Sequence, residues 1–158
     1  LWTSDSPQFT GVNIGHATDT TIARVSAGVI SVEGVTVPTI SSANTLTNKR
    51  ITKRVETVAS SATPASNTDS YDITKITSLA TAITSLTSGL TGTPADGDMH
   101  LWSITDNGTP RALALGASFE ASTVAIPTTT VISTRLDMLC IWNSATSKWR
   151  VVAVAQLF

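Results

Sequence analysis

The stretch from Val131 to Gln156 constrains this chain more than any other. It reads as two strands, Val131 to Trp142 and Trp149 to Gln156, joined by the polar loop Asn143–Lys148. In the first, Leu136, Met138, Cys140 and Trp142 point one way, and Asp137, Leu139 and Ile141 the other. In the second, Trp149, Val151, Ala153 and Ala155 share one face, and Arg150, Val152, Val154 and Gln156 the opposite one. Both faces of both strands are therefore apolar, whereas an antiparallel sheet with one wet face alternates more cleanly. The simplest expectation is a two-sheet sandwich whose outer face meets another copy of the chain.

Composition supports a β-rich assembly. Charged residues make up 13% of the 158, and Ser plus Thr about three residues in ten. β-branched Thr fits a pleated surface, and a neutral hydroxyl-rich face lacks the charge repulsion that keeps single domains apart. A net charge of −1 argues against a nucleic-acid binder that works by phosphate neutralisation. No apolar run approaches the 18 residues of a membrane-crossing helix, so no membrane insertion is expected. A single cysteine, Cys140, excludes an intramolecular disulfide framework and a cysteine-based zinc cluster. Leu1 in place of a start methionine suggests numbering that begins inside a longer or processed chain.

The pattern divides at about residue 48. Residues 1–48 are rich in Gly, Thr, Ser and Asn and read as an extended arm. Thr20–Val25 and Gly28–Val35 form a short hairpin in it, turning at Ser26–Gly28, and Val37–Thr45 follows as an extended linker. Such a hairpin is marginal alone, so the arm must pack on the rest of the chain or wrap with arms of other subunits. Residues 49–158 read as a compact antiparallel β-sandwich, jelly-roll-like. Its expected strands include Ile51–Ala59 and Tyr71–Thr77, with a loop at Thr63–Asp69 between them. Asn107–Gly108 between His100–Ile104 and Arg111–Leu115 predicts a tight hairpin fed by the loop Gly92–Gly97. Residues 78–91 are ambiguous: Leu79, Ile83, Leu86 and Leu90 are spaced as on a helix, but the Thr and Ser between them weaken it. Irregular or strand structure, with one helical turn near Leu79–Ile83, is the preferred reading.

Chemistry-bearing residues are few. The two histidines, His16 and His100, lie in no nucleophile motif, and the chain is expected to be non-enzymatic. Asp96, Asp98 and Asp106 fall in turns, where Asp bonds to nearby backbone, and lack the ligand pattern of a calcium loop; no metal and no cofactor is expected. Lys49, Arg50, Lys53 and Arg54 hold four of the ten positive charges, but alternation splits them between two strand faces, as suits a solvated junction. Trp102, Trp142 and Trp149 are the weak ligand-binding candidates, because an indole offers a sugar both an apolar platform and a polar edge. Core or subunit packing is the competing and preferred reading for them, and Cys140 is read as a small buried apolar residue.

Several segments resemble a known family. The arm series His16–Ile22, Arg24–Val29 and Val32–Val35 resembles a segment common in bacteriophage tail fibres and other virion structural proteins. Leu46-Thr47-Asn48-Lys49-Arg50-Ile51 resembles the signature joining fibre shafts to C-terminal domains. Gly92-Thr93-Pro94, Asp106–Thr109, Gly116–Phe119, Pro127–Thr130, Trp142-Asn143 and Ser147-Lys148-Trp149 occur in the order found in a C-terminal domain of such proteins. The resemblance implies a homotrimeric β-rich fibre or fibre tip on the virion, in contact with other virion proteins and able to meet a host-surface glycan or protein. A capsid decoration or head fibre, or a glycan-binding module, are the alternatives it leaves open.

Overall fold

The computed structural model describes residues 11–13, 21–26, 29–32, 35–37, 48, 50–120 and 122–156. The chain divides into two compact units, Leu1–Arg50 and Ile51–Phe158.

In the first unit, four short strands pair in chain order: β1 (Gly11–Asn13), β2 (Thr21–Ser26), β3 (Val29–Val32) and β4 (Val35–Thr36). All three pairings are antiparallel. The β2–β3 hairpin forms as expected from the sequence, with a ladder that slips by one residue between Arg24 and Ser26. The single strand expected over Gly28–Val35 divides, β3 ending at Val32 and β4 turning back to pair with it. His16, most of the expected linker, and Leu46, Thr47 and Lys49 of the Leu46–Ile51 signature lie outside the described residues.

The second unit is also all-β. Its strands are β5 (Val55–Thr57), β6 (Ser66–Asn67), β7 (Ile73–Leu79), β8 (Leu90–Thr91), β9 (Met99–Asp106), β10 (Phe119–Glu120), β11 (Leu136–Asn143) and β12 (Lys148–Gln156). Six of them form one sheet in the order β10-β12-β11-β9-β7-β5, and β6 and β8 form a second, two-stranded one. From β5 to β9 the chain winds. It passes through the large sheet at β5, returns there at β7 and again at β9, all parallel, and visits the small sheet at β6 and β8, also parallel. A parallel bridge between Ile83 and Leu113 continues the same stacking. This is the winding of a short β-solenoid, closed by the antiparallel β11–β12 hairpin along the free edge of β9.

The antiparallel sandwich expected from the sequence is therefore corrected in its strand directions. The cause is visible at Asn107–Gly108. A turn does form there, with Gly108 at φ 91° and its N–H donating to Asp106 Oδ1 at 3.0 Å. It does not reverse the chain onto β9. Pro110 has no N–H to give a ladder, and the Arg111 N–H donates instead to Thr130 Oγ1 at 2.9 Å. The following residues bridge to Ile83 and Thr129, leaving the edge of β9 to β11. Residues 78–91 are largely irregular, with a 3-10 turn at Thr87–Gly89 rather than near Leu79.

The last hairpin does form, but its faces differ from strict alternation. Cys140 pairs with Val151 and Leu139 with Ala153, so Val152 is an extra residue in β12. A bulge of this kind exchanges the faces beyond it. Trp149 and Val151 lie in the core, and past the bulge Val154 packs against it while Ala153 is exposed. The core lies on one side of the large sheet. Ile76, Leu79, Trp102, Ile104, Leu136, Met138, Cys140, Trp149 and Val151 supply it from the strands, and Ile83, Leu86 and Leu113 from the winding segments.

Candidate functional site

The other face of the large sheet carries a continuous apolar row. Val55 pairs with Ile73, Ile73 with Leu101, Leu101 with Leu139 and Leu139 with Ala153, so five neighbouring strands contribute one residue each at the same level. Met99 and Ile141, also paired, extend the row by one level. None of these seven side chains belongs to the core cluster or packs against it. Val55 is 45% and Met99 57% exposed. Their orientation follows from the alternation that buries Thr74, Ile76, His100, Trp102, Ile104, Met138 and Cys140 on the opposite face. The bulge at Val152 removes Val154 from this face, but the apolar row across its centre remains, and polar Lys75, Ser103 and Asp137 occupy the next level.

The three tryptophans separate. Trp102 and Trp149 are 1% and 3% exposed and belong to the core. Trp149 stands edge-on to Trp142 at 5.3 Å between centroids. Trp142 is half-buried and lines a cleft of about 300 Å³ with Asp96, Gly97, Ile141, Asn143, Arg150 and Val152. The cleft's polar groups are held in place. Asp96 Oδ1 accepts the Ser144 N–H at 2.9 Å, which holds its carboxyl below the usual range. Glu120 accepts from Thr146 Oγ1 at 2.7 Å, from Asn143 Nδ2 at 3.2 Å and from Arg150 Nε at 2.7 Å. Those donors, Thr146 foremost, lower its pKa.

The remaining sequence candidates serve turns and the strand edge. Asp98 Oδ2 accepts the Ala95 N–H at 2.8 Å. Asp106, 4% exposed, takes the Gly108 and Ser133 N–H groups on Oδ1 and the Thr130 hydroxyl on Oδ2, the last at 2.7 Å. Burial pushes its carboxyl upward, but these three donors outweigh it and the net shift is downward. Arg54 grips Asp72 through Nε and Nη2 and donates from Nη1 to the Asp69 carbonyl, and this holds the Asp72 carboxyl at about 2. Among the described residues no group of three or more His, Cys, Asp or Glu side chains is placed to hold a metal.

One polar cluster was not legible in the sequence. His100, 2% exposed, lies edge-on to Trp102 at 5.3 Å and tilted against Trp149 at 6.1 Å. Its Nε2 is 3.1 Å from Thr74 Oγ1, and its Nδ1 is 3.2 Å from the Tyr71 carbonyl. Thr74 Oγ1 also stands 2.7 Å from both Ser66 Oγ and Glu56 Oε1. The parallel winding brings Glu56, Ser66, Thr74 and His100 together from four strands, and no sequence spacing signals that.

Comparison with family models, with curated proteins and with solved structures returned no match.

Proposed function

We propose that this chain is a non-enzymatic structural protein of a phage virion, a homotrimeric fibre or fibre tip whose partners are its own copies and neighbouring virion proteins. The observation that carries this reading is the apolar row Val55–Ile73–Leu101–Leu139–Ala153 on the face turned away from the core. A contiguous apolar strip on a sheet with low surface charge favours burial against another protein surface. The resemblance of the arm and domain motifs, from His16–Ile22 to Ser147–Trp149, to phage fibre proteins supports reading that surface as one between copies in a fibre. Copies packed around an axis would each bury about 1,000 Å² or more per contact. Multi-angle light scattering with chemical crosslinking tests this: a trimer mass and a three-chain ladder are expected, and a monomer at micromolar concentration overturns it.

A second reading, a module that binds a host glycan, draws on the Trp142 cleft, where a half-buried indole sits beside fixed carboxylate, amide and guanidinium groups. Adhesion to host cells should fall on Trp142→Ala in a folded protein. Unchanged adhesion removes the cleft as a receptor site.

A further inference from the structure

Hydrogen atoms can be counted around Thr74 Oγ1. That oxygen carries one proton and can accept two more. Three partners surround it: Ser66 Oγ at 2.7 Å, Glu56 Oε1 at 2.7 Å and His100 Nε2 at 3.1 Å. A fourth contact, His100 Nδ1 to the Tyr71 carbonyl at 3.2 Å, needs a proton on Nδ1, because a carbonyl only accepts. With Ser66 donating to Thr74, the Thr74 proton can go to Glu56 or to His100, not to both. If it goes to Glu56, His100 must donate from Nε2 as well as Nδ1 and is an imidazolium. If it goes to Nε2, Glu56 must bring a proton of its own. In either arrangement the four contacts hold one proton more than a neutral imidazole and a carboxylate carry between them.

We infer that Glu56, Thr74 and His100 form a proton-operated clamp on the edge strand β5, complete when that extra proton is bound and missing one contact when it is released. The contact that gives way is Thr74–Glu56. The imidazole keeps its two partners by taking the Thr74 proton, and Glu56, half-buried on a three-residue edge strand, can turn to water. Strand β5 then relies on its backbone pairing with β7, including the Val58 N–H on the Lys75 carbonyl at 2.8 Å.

Few other charges bear on the site. Glu56 faces it from β5, and Asp72 lies just before β7 with its charge matched by Arg54. From β11 the neighbour paired with His100 is Cys140, a neutral thiol, and from β12 it is the uncharged Trp149. Both carboxylates favour a charged imidazole, and burial, the larger influence, opposes it, so His100 gives up its proton more readily than a free histidine. The clamp is thus open at neutral pH and closes on acidification.

Two measurements on the whole chain test this. Nitrogen-15 NMR of the imidazole should show the neutral ring protonated on Nδ1, the less common tautomer, and a single titration below the usual histidine range. Hydrogen exchange of the β5 amides through local detachment of that strand, with His100 still buried and rates corrected for intrinsic exchange, should slow as pH falls, by up to about tenfold per pH unit, the limit for one linked proton. Openings that free His100 have the opposite sign, because the exposed imidazole binds its proton more tightly. Glu56→Gln supplies the missing donor permanently through its amide, so in that variant the β5 amides should keep the slow rate at every pH. An Nε2-protonated neutral ring, or a Glu56→Gln variant with unchanged pH dependence, overturns the clamp.

Discussion

Asp106 is a staple whose strength can be worked out from its contacts. It ends β9 and fastens two loops to it, one through Gly108 and the other through Thr130 and Ser133. Asp106→Ala leaves three donors without an acceptor. The Gly108 and Ser133 N–H groups are part-buried and can reach water, at a cost of about 1 kcal/mol each. The Thr130 hydroxyl is 2% exposed and stays dry, at a further 1–3 kcal/mol or so. The total is about 3–5 kcal/mol, or a fall of about 2 M in the urea midpoint for a slope near 2 kcal/mol/M. Asp106→Asn separates geometry from charge. Its amide oxygen can keep both backbone donors on Oδ1, and its nitrogen can donate to Thr130 Oγ1, but the Thr130 proton loses its acceptor, so it should cost about 1–3 kcal/mol, less than the alanine variant. The pH dependence carries the same signature. The folded carboxyl lies below its unfolded value, so its stabilisation is present above the ordinary carboxylate range and is lost as pH falls through the folded value. Asp106→Asn should flatten that loss. Urea titrations by tryptophan fluorescence at neutral and acid pH measure both effects. Equal midpoints for the Ala and Asn variants would refute the hydrogen-bond reasoning.

Other perturbations follow from single contacts. A Cβ added at Gly89 would sit against the Pro64 carbonyl and Ala65 Cα, backbone atoms that cannot yield, so Gly89→Ala should lower the urea midpoint by an amount equivalent to about 2 kcal/mol or more. Burial pushes the Cys140 thiol up to about 12, so Ellman's reagent should react with it only at the rate of unfolding, and fast labelling in the native protein would contradict the packing of β11. Asp72, held at about 2 by Arg54, contributes stability above pH 4 or so that disappears as pH falls towards 2. Arg54→Gln should remove that dependence, with only a small loss at neutral pH, because the pair is partly exposed and screened by water.

What the sequence made legible depended on distance along the chain. The β11–β12 hairpin was readable because two long apolar runs flank one polar loop, and the β2–β3 hairpin for a similar reason. The bulge at Val152 was not, since one extra valine among Val151, Val152, Ala153 and Val154 leaves no local mark, yet it decides that Val154 goes in and Ala153 out. Asn107–Gly108 signalled a turn correctly and a hairpin wrongly, because the Arg111 N–H finds a better partner in Thr130. Leu79, Ile83 and Leu86 have helical spacing and are all buried, but Leu79 ends strand β7 and Ile83 and Leu86 are inward residues of the irregular winding after it. Trp102 and Trp149 were readable as core or subunit anchors ahead of ligand platforms, and the core holds them. The Glu56–Ser66–Thr74–His100 cluster was invisible because parallel winding joins residues that no short motif links.

Leu139 is the middle of the apolar row, paired with Leu101 on one side and Ala153 on the other, and outside the core. Light scattering of Leu139→Lys beside the unaltered chain is the most direct test of what that face is for. The unaltered chain should have the mass of a trimer, and the variant that of a monomer with the same circular dichroism and urea midpoint. A monomeric unaltered chain, or a variant that assembles as before, would contradict the claim that this face is buried between copies.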